Sequence, residues 1–185
     1  MRAAVACVAL LLAAGCDGKP AEAPPAKPAA SASARAEAPP TVTIPAPEGA
    51  FDAISNTAMG VTGDLTASAG TLKFALGQTY SVEGVSTLKA SSAYASTKAS
   101  FASLINVPET ADLLVFKVVA QDAGKARNGG FCGATPTTYL VTYVGADGSG
   151  APALIVIAFS GAAPPDATSS ETELCGTFMY APKAG

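Results

Sequence analysis

MGVTGDLTASAGTLKFALGQTYSVE, residues 59–83, decides the fold because its apolar side chains recur in twos. Met59, Val61, Leu65 and Ala67 fall on one side and Thr62, Asp64 and Thr66 on the other, the pattern of a strand with one face on a core and one in water. Ala69-Gly70 marks a turn, after which Leu72, Phe74 and Leu76 alternate with Thr71 and Lys73. Gly77-Gln78 marks a second turn, and Tyr80 and Val82 alternate with Ser81 and Glu83. A three-stranded meander is the expectation. Helical periodicity cannot accommodate two turns so close together.

Downstream, Tyr94, Phe101, Leu104 and Ile105 fall at helical spacing behind Ser91-Ser92, which could cap. One short helix within residues 91–105 is therefore expected, ended by Val107-Pro108. Four further runs rich in β-branched and aromatic residues read as strands: Leu113 to Gln121, Thr137 to Val144, Ala153 to Phe159 and Cys175 to Tyr180. Asp147-Gly148-Ser149-Gly150 joins the second and third as a hairpin turn. In the first of them Leu114, Phe116, Val118 and Ala120 share one face, while Leu113, Val115 and Val119 surround Lys117 on the other. That strand should be central, with a partly covered outer face. The fold class expected is all-β with minor α: a small antiparallel barrel or curled meander of about seven strands with one short helix. A β-sandwich is the nearest rival.

Residues 49–185 would carry this domain, and the segment before it has a different composition. From Asp17 to about Glu48 the chain is proline, alanine, serine and scattered charge, including Pro24-Pro25, Pro39-Pro40, Pro45 and Pro47. Such a segment buries too little to offset its ordering entropy, so residues 16–48 are expected to be a disordered, semi-extended tether. At about 3.1 Å per residue in polyproline geometry it would reach on the order of 100 Å at most.

The first fifteen residues read as a leader. Arg2 precedes an apolar stretch from Ala3 to Leu12, shorter than the roughly 20 residues that cross a bilayer, and Ala13-Ala14-Gly15-Cys16 follows. This ending resembles the lipobox of bacterial lipoproteins, in which small residues precede a cysteine that is acylated before the leader is cut. The resemblance implies that residues 1–15 are a signal peptide and that Cys16 bears palmitate-type lipid. The protein would then sit in the cell envelope, on the inner or outer membrane, facing the periplasm or the exterior. Asp17 is similar to the enterobacterial signal that retains lipoproteins in the inner membrane. Two or three acyl chains make a lasting anchor, since each buried methylene contributes about 0.8 kcal/mol.

Cysteine usage agrees with export. With Cys7 in the leader and Cys16 lipidated, Cys132 and Cys175 remain as a pair in an oxidising compartment. Joining them would close a loop of 43 residues and stabilise by about 4 kcal/mol in the chain-entropy model. A zinc or redox pair is the alternative, but neither cysteine stands in a CxxC and the chain has no histidine.

Composition narrows function further. The net charge of −3 becomes −4 without Arg2 (10 basic against 14 acidic residues), and no basic run exists to meet phosphates, so nucleic acid is not expected as a partner. The missing histidine removes the commonest acid-base group and metal ligand. No catalytic residue, metal or cofactor is expected. Asp64, Glu83, Glu109, Asp112 and Asp122 show no spacing that pairs two of them, there is no Gly-x-Ser-x-Gly elbow, and Ser96-Thr97-Lys98 has no partners.

The loops at 122–136 and 161–173 are longer than hairpins need and end near the two cysteines, so that end of the domain is the expected binding surface. Lys125, Arg127, Asn128 and Phe131 are its candidate contacts, with Asn128-Gly129-Gly130 able to form an anion-binding nest. The whole plan resembles the small envelope lipoproteins of Gram-negative bacteria, such as the membrane-bound lysozyme inhibitors. With no tryptophan in the chain, that resemblance carries architecture and not inhibition. The expected function is a non-enzymatic binding or envelope-interaction domain displayed from a membrane, with an envelope protein or cell-wall component as partner. The alternative is a small-ligand carrier or hydrolase using a barrel cavity.

Overall fold

Eight antiparallel strands close into a barrel in simple sequential order, each hydrogen-bonded to the next and the last to the first. The structure is a computed structural model describing residues 44–124 and 126–184. The leader, Cys16, the tether up to residue 43 and Lys125 lie outside the described residues. The strands are β1 (Gly49–Ala53), β2 (Leu65–Ser68), β3 (Thr71–Phe74), β4 (Thr79–Lys89), β5 (Asp112–Asp122), β6 (Tyr139–Ala146), β7 (Pro152–Phe159) and β8 (Leu174–Pro182). Closure is made by β1, which pairs with β2 through Phe51↔Leu65 and with β8 through Phe51↔Pro182. The fold is thus all-β with minor α, as the alternation implies.

Three departures from the sequence reading have local causes. An eighth strand, β1, sits where the tether gives way to the domain; its five residues bury only Phe51, too few for a period-two signal. Second, Met59 and Val61 do not begin a strand. Asn56–Val61 forms a one-and-a-half-turn helix, α1, because the Ser55 hydroxyl accepts the Ala58 amide at 3.1 Å and caps it. Gly63, at φ +68°, then reverses the chain into β2. Met59 is accordingly exposed rather than inward-facing. Third, only Phe101–Ile105 of the expected helical stretch is helix, α2. Its cap is Ser100 rather than Ser91 or Ser92, and it stops at Asn106 in the left-handed region, just before Val107-Pro108.

The barrel wall separates two cores. Inside, every strand contributes: Phe51, Leu65, Ala67, Leu72, Phe74, Tyr80, Val82, Phe116, Leu140, Leu154, Val156, Ala158, Phe178 and Tyr180 are all buried in one cluster. Outside, Leu113 and Val115 of β5, Val141 of β6, and Ala153, Ile155, Ile157 and Phe159 of β7 form a second cluster with Ala90, Tyr94, Phe101, Ala102, Ile105 and Val107. The β4–β5 connection thus folds back as a lid over the outer face of β5–β7. This is why β7 is an unbroken apolar run: its even positions face the interior and its odd positions face the lid. Burying one such side chain contributes about 1.5–3 kcal/mol, so the second layer is a large share of the domain's stability.

Two buried tyrosines join polar partners at the barrel's α1 end. Tyr180 shares a 2.6 Å hydrogen bond with Thr62 Oγ1, and Tyr80 accepts the Phe131 amide at 2.9 Å. Burial pushes both phenols above the ordinary tyrosine range, Tyr180 far more so, and these bonds offset the effect only in part. A raised phenol pKa in the folded state leaves stability intact while unfolded tyrosine is also neutral, below about pH 10. Above that pH the unfolded chain ionises first. The urea midpoint should therefore hold to about pH 9 and fall by pH 11, with Tyr180→Phe giving a shallower fall.

Cys132 and Cys175 form the expected disulfide, with Cα atoms 4.9 Å apart, tying the β5–β6 loop to the first residues of β8. Reduction, or Cys132→Ser with Cys175→Ser, should lower unfolding free energy by about 4 kcal/mol, read as a shift in denaturant midpoint. An unchanged midpoint would show that the loop is held by packing alone.

Candidate functional site

The disulfide end of the barrel is built as a plug. Gly129 adopts φ +72°, and a Cβ on it would strike the Gly133 carbonyl; a Cβ on Gly130 would meet the Tyr80 hydroxyl at 2.6 Å. Only glycine lets the Asn128–Gly133 loop fold tightly enough to drive Phe131 inward. The Phe131 ring is 4 % exposed and lies 4.6 Å from Phe178, 4.9 Å from Tyr80 and 5.1 Å from Phe74, centroid to centroid. It is a core residue supplied by a loop. The amides of an anion nest are committed elsewhere: Gly129 donates to Ala126, Gly130 and Gly133 exchange bonds, and Phe131 donates to Tyr80.

Of the other candidate contacts at this end, Asn128 donates from Nδ2 to the Gly60 carbonyl at 2.9 Å, fastening the loop to α1. Arg127 is exposed. Gln78 is fully buried between the same elements, donating to the Val61 carbonyl at 2.6 Å and to Gly129 at 3.0 Å. The 161–173 loop is also fastened, through Ser96 donating to the Ser169 carbonyl and Thr168 donating to Asp166. The arrangement therefore closes the barrel more than it offers a ligand a concave face.

Two carboxylates converge on a shared cation at the barrel seam. Asp52 and Asp64 flank the Lys183 ammonium at 3.1 and 3.9 Å, with all three side chains about half exposed. Asp64 Oδ1 also accepts the Ala53 amide at 3.0 Å, so the group seals the seam where β8, β1 and β2 meet. Lys183 is held above its ordinary pKa by the Asp52 hydrogen bond and charge, then by Asp64. An ammonium between two carboxylates is a charge pairing, not an acid-base dyad. Asp112 pairs with Lys89 at 2.7 Å, and Asp122 accepts the Gly124 amide within its own turn. Glu83 and Glu109 are exposed. Among the described residues no three metal-ligating side chains are grouped to hold an ion.

A concavity bounded by several elements lies elsewhere, on the outer wall. A cleft of about 370 Å³ opens between the end of α2 and the β6–β7 turn. Its apolar surface is Leu104, Met179 and the edge of Ile105, and its polar rim is Asn106, Asp147 and Ser149. Ile155 is completely buried beneath it. Concave, mostly apolar sites with a few polar groups drawn from separate elements are the usual form of ligand pockets.

The rim is stiff. Asp147 Oδ1 accepts the Ser149 amide at 2.8 Å, the Ser149 hydroxyl at 2.6 Å and the Ala151 amide at 3.1 Å. These bonds, the Ser149 hydroxyl foremost, hold its carboxyl below the usual range, so it is ionised at all physiological pH. Asn106 lies against Gly148 so closely that a Cβ there would overlap its amide. The α2 terminus and the hairpin turn are thereby interlocked.

Two other depressions lack a rim fixed by side-chain hydrogen bonds. One of about 460 Å³ beside Gly70, Val82, Gly84 and Phe116 has part of its wall from the entering chain, Ile44–Ala46 and Glu48. Another, of about 240 Å³, is lined almost wholly by carbon, with Phe51, Val144, Pro152 and Pro182, and has no polar group to orient a ligand. Sequence reasoning missed the outer-wall cleft because its parts read as a helix stop, a turn and outward strand positions. The one available signal was the outward apolar series of β7, which required a cover. Comparison with family models, with curated proteins and with solved structures finds no match to this chain.

The two views of the disulfide end differ measurably. Phe131→Ala should lower unfolding free energy by about 3–5 kcal/mol, as a core truncation does, whereas Arg127→Ala should stay within about 0.5 kcal/mol. Urea titration of both variants distinguishes a plug from an exposed contact loop.

Proposed function

We propose that this protein is an exported bacterial lipoprotein, moored to a membrane of the cell envelope through acylated Cys16, whose barrel is a non-enzymatic binding module. The observation that carries the binding-module reading is the filled interior. Side chains from all eight strands, with the Phe131 ring added from a loop, occupy the space a carrier would leave for cargo. Recognition then falls to the outside of the wall, where the cleft beside α2 offers an apolar floor and an oriented polar rim.

Mooring is supported by the residues around Cys16 and by the disulfide, since a structural cystine suits an oxidising compartment outside the cytoplasm. The proline- and alanine-rich stretch between Cys16 and Glu48 would let the barrel search for an envelope protein or cell-wall component away from the lipid surface. A hydrolytic role would need converging acid and base groups; Asp52 and Asp64, which converge at the seam, are bridged by the Lys183 ammonium.

Fractionation tests the mooring. Full-length protein should pellet with membranes and carry acyl mass at its amino terminus after processing. Cys16→Ser should move it to the soluble envelope extract with the barrel still folded. An unmodified terminus on the processed wild type, or unchanged partitioning of the variant, overturns this reading.

A further inference from the structure

We infer that the outer-wall cleft binds an ammonium group carried on an apolar body, the body resting on Leu104, Met179 and the edge of Ile105 above the buried Ile155, and the cation meeting the Asp147 carboxylate at the rim. The inference rests on the cleft being the binding site of the proposed module, and it adds the chemical class of the ligand.

Charge selects the ligand's sign. Among the described residues Asp147 is the one ionised group lining the cleft, and no lysine or arginine lines it with Asp147. An anion would face that carboxylate without a counter-charge, and a wholly apolar ligand would strip water from it without replacing the lost hydrogen bonds. A cation supplies a charge-assisted bond there, and such bonds are roughly twice as strong as neutral ones.

Geometry leaves room for that bond. The three donors from Ser149 and Ala151 all go to Oδ1, and among the described residues Oδ2 accepts none, so one oxygen of a pre-oriented carboxylate is open. The rim pays little entropy on binding because the turn is already fixed and Asn106 is packed against Gly148. Size agrees as well: a volume of about 370 Å³ sits at the small end of ligand pockets, suited to a single ring or short chain rather than to a folded partner.

The test uses the full chain carrying Cys16→Ser, so that no lipid competes, with three probes of matched size: phenethylammonium, 3-phenylpropionate and 3-phenylpropan-1-ol. Amide NMR shifts at Asn106, Ser149 and Met179 are followed in each titration. Phenethylammonium should shift these amides saturably and bind about tenfold more tightly than the alcohol, with the carboxylate weakest. Asp147→Asn, whose amide oxygen can still accept from Ser149 and Ala151, should erase the preference for the cation. Leu104→Ser should weaken the cation and the alcohol alike.

Should Asp147→Asn disturb the hairpin, salt gives the same comparison on the unaltered residue: added sodium chloride should weaken the cation and leave the alcohol unchanged. Equal or tighter binding of the carboxylate, or a cation preference untouched by both Asp147→Asn and salt, overturns the ligand class while keeping the cleft as a site. No shift at the cleft with any probe overturns the cleft and the ligand class together.

Discussion

The structure hangs on a phenylalanine that belongs to no strand. A small closed barrel must fill its own interior, and at the α1 end of this one the filling comes from Phe131, packed among Phe74, Tyr80 and Phe178. The ring can enter only because glycine precedes it twice, and it stays because Cys132 beside it is bonded to Cys175 at the start of β8. Packing and covalent constraint act on adjacent residues and so reinforce each other. Tyr80 closes the arrangement by packing its ring beside Phe131 and accepting the Phe131 amide with its hydroxyl.

A second constraint follows from how much apolar surface the wall carries. β5, β6 and β7 are apolar on both faces, so one layer of core cannot satisfy them. The long β4–β5 connection supplies the second layer by laying Tyr94, Phe101 and Ile105 across their outer face. A lid on a curved wall does not cover it evenly. Where α2 ends at Asn106 and the β6–β7 turn rises beside it, a gap remains, and that gap is the cleft. The candidate site is therefore a by-product of covering the outer core, with a polar rim contributed by the two chain reversals that bound it.

Polar groups inside the barrel are concentrated where separate elements must be held together. Gln78 bridges α1 and the glycine loop, and Thr62 meets Tyr180 across the barrel end. The first links two short elements, neither stable by itself, and the second ties the end of α1 to β8. Asp52, Asp64 and Lys183 do the same in water at the closing seam, where β1 offers few ladder bonds.

Alternation alone was enough to determine that the domain is an antiparallel β meander, since period two survives wherever one face is wet and one is dry; of the two short helices only α2 was legible. The placement of β3 to β8 and the Asp147 turn followed from it, and the lack of any CxxC or histidine was enough to favour a bond between Cys132 and Cys175. Tertiary structure decided the rest. Whether Met59 began a strand depended on a cap at Ser55 and a reversal at Gly63, and whether Phe131 faced water or the core depended on an interior with space for one more ring. The number of strands was settled by closure, because β1 is held by partners on both sides and not by its own five residues. The cleft is the extreme case: its floor and rim come from α2, β7, β8 and a turn that are distant in the chain, and concavity is a property of their juxtaposition that no local pattern encodes.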